Sequence, residues 1–388
     1  MEYDVVVAGA GPSGSVISYL LAKKGYNVCL IDKECFPREK ACGGGITPRC
    51  VKLLDELGLL NKIGNSILNR FTGFLLVSPS GYIARCTFEN IKALPDYGIL
   101  VSRKLFDNEL KKIAESANAR FLKAEFLRPL FSGDKVTGAI INLENEEKIL
   151  KCRILIIATG NNFKVLKTLF NEDIFKTKLV ARQTFSEVKN VSKEFMEFYY
   201  TKTTSPGYVW IFPANGNKAN IGFADNKSTG TKITENFKDI VISNKILKDK
   251  FDNFPEKFNT AVIPIRNKEK PVGNGFLLIG DAAGLAHPLT GEGIYHAIES
   301  ARIAAEVCIT TLSKNSGFGK KESKNYEVLL NEKFENEYRF YKKIKPLLKP
   351  YIIDIGIKIC STDEKKLNHL INIACGIYDK TFLSKLLY

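Results

Sequence analysis

Asp4–Lys33 reads DVVVAGAGPSGSVISYLLAKKGYNVCLIDK, and this stretch decides the fold. The apolar run Val5-Val6-Val7-Ala8 has the character of a buried parallel strand. Gly9-x-Gly11-x-x-Gly14 then turns the chain straight into a helix with apolar residues at helical spacing. The glycines have separate jobs. Gly9 permits a tight turn, Gly11 lets the backbone approach a pyrophosphate, and Gly14 lets helix and strand pack closely. Unpaired N–H groups at the helix N-terminus face the anion. A second strand, residues 28–31, leads to Asp32, placed where an acid accepts hydrogen bonds from an adenosine ribose and repels a 2′-phosphate. Together these features predict a dinucleotide guest, FAD or NAD.

The rest of the chain must build around that unit. With 388 residues, 45% hydrophobic and 26% charged, there is length for two or three packed units. No apolar run approaches membrane-spanning length, and the first strand begins without a signal peptide, so a cytoplasmic protein is expected. The nine cysteines (29, 35, 42, 50, 86, 152, 308, 360, 375) form no C-x-x-C pair, and there are only three histidines. Neither zinc spacing nor a disulfide framework is read, and no metal is expected. A formal charge of +15 suits nucleic acid, an anionic membrane or an acidic protein donor. The lysines are scattered without a basic-aromatic module, which sets nucleic acid aside.

After Asp32 the chain reaches Phe36-Pro37-Arg38-x-Lys40-x-Cys42-Gly43-Gly44-Gly45. Three glycines leave bare backbone against which a flat ring or a phosphate can lie. This segment resembles the signature of geranylgeranyl reductases, flavoproteins that saturate prenyl chains, within the group that includes p-hydroxybenzoate hydroxylase. The resemblance runs over about residues 4–310. Downstream, residues 47–60 read as a helix, 67–90 as strands around a turn at residues 79–82, and 105–117 as a helix begun at Val101-Ser102-Arg103. Residues 120–127 and 135–142 read as strands, and Ile154–Gly160 is an apolar strand ending in a glycine turn near the cofactor. Hydroxylases of the group follow that strand with Asp-Gly and Ser-x-x-Arg. Thr159-Gly160-Asn161-Asn162-Phe163-Lys164 departs from the pattern, which argues against a hydroxylase and leaves the electron donor open between NAD(P)H and a ferredoxin-like carrier.

Residues 178–265 alternate as the sheet of a substrate domain. At its centre, Tyr208, Trp210 and Phe212 project to one face on period-2 geometry and form an aromatic wall. Tyr-x-Trp-x-Phe-Pro matches the reductases, where this strand borders an isoprenoid pocket; halogenases carry a similar Trp-x-Trp-x-Ile-Pro. The second strong signal is Gly275–Gly284, a buried strand ending in Gly280-Asp281, followed by Pro288-Leu289-Thr290-Gly291-Glu292-Gly293-Ile294 and a helix over 295–312. Residues 313–324 read as a linker. The tail from Tyr326 carries helical patterns rich in lysine, either packed on the body with solvated faces or forming an amphipathic surface for acidic lipid headgroups.

The resemblance implies an α/β fold: a Rossmann-like, p-hydroxybenzoate hydroxylase-like FAD-binding domain (1–66, 98–165, 266–312) interleaved with an α+β substrate domain carrying a mixed or antiparallel sheet (67–97, 166–265). C-terminal helices (313–388) complete it. It also favours FAD over NAD. It sets Arg103 on the pyrophosphate, Ala124 against the adenine, Asp281 on the ribityl chain, and Gly291, Gly293 and Ile294 at flavin N1 and O2. Cys42, with Gly43 and Gly45, falls beside the isoalloxazine. The implied reaction is hydride transfer from flavin to a prenyl double bond with a proton added next door. Cys42, His287 and Tyr208 are the candidate acids, and Tyr208, Trp210 and Phe212 bind substrate. A prenyl-chain substrate places the protein peripherally on the inner face of a membrane. The rivals are an FAD monooxygenase or halogenase, and a prenyl-lipid carrier that keeps FAD structurally.

Overall fold

The structure, a computed structural model, describes residues 2–89, 91, 93–170, 175, 177–225, 237–265, 271–314 and 317–376. Asn90 at the end of the first alternating stretch, the expected boundary at residue 266, and residues 377–388 of the tail lie outside the described residues.

Strand Glu2–Ala8 lies at the centre of an eight-stranded sheet, and Val5, Val6, Val7 and Ala8 are wholly buried. Each such valine contributes roughly 1.5–3 kcal/mol of apolar burial, which explains why a continuous apolar run forms here instead of an alternating one. Strands Val28–Asp32 and Glu146–Ile157 flank it in parallel, with Val5 opposite both Val28 and Ile154. Phe276–Leu278 extends the parallel set beyond Glu146–Ile157, and Arg120–Lys123 extends it beyond Val28–Asp32. The two sequence motifs, distant along the chain, therefore end side by side. Contact is direct: a Cβ on Gly280 would stand 2.9 Å from Ser13 Oγ at the start of helix Pro12–Ala22. That helix packs against Ile294–Ser313 and Arg103–Ser116.

A seven-stranded sheet forms the second layer, in the order Asn259–Ile265, Thr177–Glu187, Lys218–Asp225, Val209–Pro213, Phe195–Tyr199, Gly73–Val77, Ile83–Thr87. Every pairing in it is antiparallel except that of Phe195–Tyr199 with Gly73–Val77, so the sheet is mixed. A small antiparallel sheet of Gly45–Ile46, Gly98–Val101 and Ile67–Phe71 lies on the chain paths between the two.

Three local readings change. Within the stretch 178–265 expected to alternate as strands, Phe237–Ile242 and Lys245–Lys248 are short helices. The helix expected over 47–60 is Pro48–Glu56: Gly58 takes a φ of +67°, a left-handed residue that stops the helix, and Leu60–Lys62 continues as a single 3₁₀ turn. The linker expected to reach Lys324 is shorter, because helix Lys320–Ile344 starts where Glu322 reaches back to accept the Gly319 N–H at 3.0 Å. That helix belongs to the main core, with Tyr326, Leu330 and Phe334 buried among the residues of the parallel sheet and its helices. Pro350–Thr362 and Glu364–Ala374 follow and cover the edge strand Ile83–Thr87.

Candidate functional site

One cavity of about 660 Å³ runs from the Gly9 turn past the Cys42–Gly45 loop to the aromatic strand and the tail helices. At its first end the glycines divide the work as their spacing suggests. A Cβ on Gly14 would lie 1.8 Å from Gly9 O, and one on Gly9, where φ is +107°, would lie 2.3 Å from Ala158 O. At Gly11 the nearest atom would be Arg38 Nη2 at 3.8 Å, so the space there is open toward the cavity. Asp32 accepts the Ala10 N–H at 2.8 Å and the Glu34 N–H at 3.0 Å, and Ala124 donates its N–H to the Asp32 carbonyl at 3.0 Å. Ala124 and Gly160 line the same end.

Three cations gather along the middle. Arg103 forks onto Asp107 with two 2.8 Å bonds, and Arg38 reaches the same carboxylate at 3.2 Å. Lys40 lies near both arginines; burial and then Arg103 push its ammonium below the usual range, while Asp281 pulls the other way. Burial pushes Asp281 up, opposed by Lys40 and Arg103. Among the described residues, Arg38 Nη1 and Thr159 Oγ1 are buried without a hydrogen-bond partner, an arrangement that asks for an anionic, acceptor-rich guest. An extended dinucleotide with its diphosphate at Gly11, Arg38 and Arg103 fits these groups, so the residues present suit FAD.

At the far end, Asp281 Oδ1 would stand 3.3 Å from a Cβ on Gly293, and Gly291, Gly293 and Ile294 open helix Ile294–Ser313 onto the cavity with no side-chain cap. Uncapped N–H groups and the helix dipole favour negative charge in front of them. Cys42 lies opposite. Its sulfur accepts the Gly44 N–H at 3.4 Å and is within hydrogen-bonding reach of Arg103.

The glycine triplet lines the cavity and carries a second, packing constraint. A Cβ on Gly43 would meet the Phe212 ring at 2.9 Å, and one on Gly45 the Met196 methyl at 2.4 Å. Close packing of the second sheet requires these glycines, and the loop's other side forms the cavity wall. Asn220 fastens this junction: its amide donates to Cys42 O at 3.0 Å and to Gln183 Oε1 at 3.2 Å, and its oxygen accepts from Trp210 Nε1 at 2.9 Å.

Tyr208, Trp210 and Phe212 all line the cavity, with neighbouring ring centroids 6.2 and 6.0 Å apart, while Val209 and Ile211 point into a separate core. The opposite wall comes from the tail: Tyr341, Ile353, Ile357 and Ile371 among others. Helical periodicity had shown apolar faces there without showing what they cover.

Of the expected residues, Gly14 and His287 do not line the cavity. Gly14 acts one layer back. His287 is 2% exposed; its Nδ1 accepts the N–H groups of Leu289 and Thr290, and its Nε2 stands 3.3 Å from Glu337. It belongs to a buried charged cluster that the sequence did not suggest. There Arg49 bonds Glu292 and, at 3.0 Å, Glu337, and covers the Tyr295 ring at 4.2 Å, while Thr47 donates to Glu292 at 2.7 Å. His296, wholly buried, has neither ring nitrogen hydrogen-bonded among the described residues, its Nε2 standing 4.0 Å from Glu337.

Burial pushes the His296 imidazole down from 6.5 to about 4, against the pull of Glu337. The unfolded chain takes up this proton as pH falls through 6.5; the folded protein does so only near 4. Stability from this group is therefore complete above pH 6.5 and declines toward pH 4, by about 3 kcal/mol at 1.4 kcal/mol per pKa unit. His296→Leu is expected to flatten the curve of melting temperature against pH between 4 and 6.5. An unchanged slope would assign the acid sensitivity elsewhere.

Comparison with known proteins agrees with this geometry. The FAD binding domain family matches residues 2–314. Digeranylgeranylglycerophospholipid reductase of Methanocaldococcus jannaschii is 32% identical over 89% of this chain and 86% of its own. A geranylgeranyl bacteriochlorophyll reductase-like protein from Thermoplasma acidophilum superposes with a TM-score of 0.83 at 25% identity, covering 96% of each chain. A flavin-dependent brominase shares the fold, with a TM-score of 0.81 at 21% identity over 100% of this chain and 98% of its own. The cradle built by Gly9, Gly11 and Gly14, the cation-lined channel and the uncapped helix at Gly293 thus go with a matching family over most of the chain: it belongs to the FAD binding domain family, in its geranylgeranyl reductase branch, and its cofactor is FAD.

Proposed function

We propose that the protein saturates carbon–carbon double bonds of a geranylgeranyl or longer polyprenyl chain borne by a glycerolipid, a quinone or a diphosphate. The observation that carries this is the apolar arm of the cavity, which continues from Cys42 along Tyr208, Trp210 and Phe212 to Ile353, Ile357 and Ile371. Such a lining suits a long branched hydrocarbon. The M. jannaschii relative is named for digeranylgeranylglycerophospholipid, which is the lipid to test first. Electrons come from NAD(P)H or a ferredoxin-like carrier, and the protein meets its lipid at the inner face of a membrane.

Reduced FAD, when bound, supplies hydride to one alkene carbon. The chain's own residues do the rest. Gly9, Gly11 and Arg103 hold the diphosphate, Asp32 the ribose, and Asp281 the ribityl chain; Ala124 and Gly160 flank the adenine half, and Gly43 and Gly45 back the ring. N–H groups at Gly293 and Ile294 would face the pyrimidine edge, where reduction deposits negative charge, while the Gly291 N–H is taken by His287 O at 2.9 Å and Gly291 shapes the turn beside them. An isolated alkene accepts hydride poorly, so the walls must exclude water while an acid protonates the neighbouring carbon. Cys42 is that acid: charge left on its sulfur is met by the Gly44 N–H and Arg103, and the proton is restored from solvent. Tyr208 is less suited, since its hydroxyl already donates to Thr290 O and burial pushes its pKa up.

Anaerobic reduced protein mixed with the lipid should reoxidise its flavin as each reduced bond gains two hydrogens, read by absorbance and mass spectrometry. Flavin that stays reduced with prenyl lipids, yet in air oxygenates or halogenates a small substrate, would instead make this a monooxygenase or halogenase. Cys42→Ala should keep its flavin and lose about a hundredfold or more in rate, whereas Tyr208→Phe should stay within a few-fold. The reverse order would transfer the acid role to Tyr208.

A further inference from the structure

Helix Pro350–Thr362 is apolar around far more of its circumference than packing requires. Ile353 and Ile357 are buried against the strand Ile83–Thr87. Tyr351, Ile355 and Ile359, at four-residue spacing, are 59, 53 and 40% exposed, and Leu347 just before the helix is 63% exposed. Between these two faces runs a third row, Ile352, Gly356 and Cys360, which borders the cavity. Ile352 is also 38% exposed, so the row is the rim of an opening.

Gly356 marks that opening. Glycine inside a helix is destabilising relative to alanine, and among the described residues no atom would lie within 4 Å of a Cβ there, so none of these neighbours demands it. The helix's one acid, Asp354, is turned away onto Ser78 and Ser80 with bonds of 2.6 to 2.9 Å. Lys343, Lys349, Lys358 and Lys365 are exposed around the stripe. Among the described residues no helix is long and apolar enough to cross a membrane. A helix with an exposed apolar face and basic flanks lies in the plane of an anionic bilayer interface.

We propose that this helix docks on an anionic bilayer through Leu347, Tyr351, Ile355 and Ile359, and that a prenyl chain slides from the hydrocarbon past Ile352, Gly356 and Cys360 into the cavity without crossing water. This rests on the prenyl-reductase reading. The charge match and the continuity of the stripe with the cavity rim select a lipid surface over a second copy of the chain.

The test uses the full holoprotein and vesicles of phosphatidylglycerol and phosphatidylcholine, with and without digeranylgeranylglycerophospholipid. Wild type should cosediment with the vesicles, less so at high salt. Ile355→Asp with Ile359→Asp should bind at least tenfold more weakly, with unchanged flavin absorbance and unchanged turnover of detergent-dispersed lipid. Equal vesicle binding by variant and wild type, or conversion of a dimer to a monomer without loss of vesicle binding, would overturn the docking surface. Gly356→Trp should bind vesicles and flavin normally, with an unchanged melting temperature, and reduce vesicle-embedded lipid at least tenfold more slowly, while Gly356→Ala stays near wild type. Full activity of Gly356→Trp would overturn lateral entry. Wild type that turns over no prenyl lipid in detergent would sink the reductase reading, and the vesicle arm would still report on docking.

Discussion

Arg49→Met is expected to destabilise the protein by about 3–5 kcal/mol, the usual range for removing one partner of a buried ion pair. The arginine's side chain is 9% exposed and serves two carboxylates from different parts of the chain, Glu292 in the loop before the Gly293 helix and Glu337 on Lys320–Ile344. Burial alone would push both carboxyls up; Arg49 reverses this, holding Glu292 below and Glu337 well below the usual carboxylate range. Methionine fills much of the space and leaves two buried carboxylates without their cation. Because Glu292 lies between Gly291 and Gly293, this cavity-lining loop, proposed to meet the flavin, should loosen too, and FAD should dissociate more readily. Urea unfolding and the free-flavin fraction after gel filtration would measure both. A variant with wild-type midpoint and retention would show that the cluster is dispensable.

Gly11→Val is expected to yield folded, colourless protein. The backbone at Gly11 has φ of −73° and ψ of −173°, extended values that any residue adopts, and its Cβ would meet only Arg38 Nη2 at 3.8 Å. The fold therefore accepts valine, whereas a diphosphate occupying that space does not. Flavin binding should weaken by at least about a hundredfold, on the order of 3 kcal/mol, with unfolding of the apoprotein within about 0.5 kcal/mol of wild type. Gly14→Val makes the control, because its Cβ would stand 1.8 Å from Gly9 O and should prevent folding altogether. Circular dichroism with a flavin titration separates the two. A yellow Gly11→Val protein of normal affinity would mean that the diphosphate lies elsewhere.

These contrasts mark what was legible in the residues. The Gly9 turn and the alternation through Tyr208, Trp210 and Phe212 are local patterns, in which each residue's neighbours are set by strand and helix geometry alone. The Arg49 cluster was not legible, because its partners are 243 and 288 positions away and nothing near Arg49 signals them. The packing demand on Gly43 and Gly45 was hidden for the same reason: the Phe212 ring and Met196 that require them arrive from another sheet. His287 looked chemically useful by residue type, yet its nitrogens are occupied by backbone N–H groups and Glu337. The tail's periodicity correctly implied helices; which of their faces would wall a cavity depends on the sheet they cover.

The cavity's walls include Gly9 near one terminus and Ala374 near the other, which bears on how the protein is made. On the ribosome, the aromatic strand emerges long before the helices that cover it. At about 5–20 residues per second, that greasy surface waits on the order of ten seconds or more for its cover.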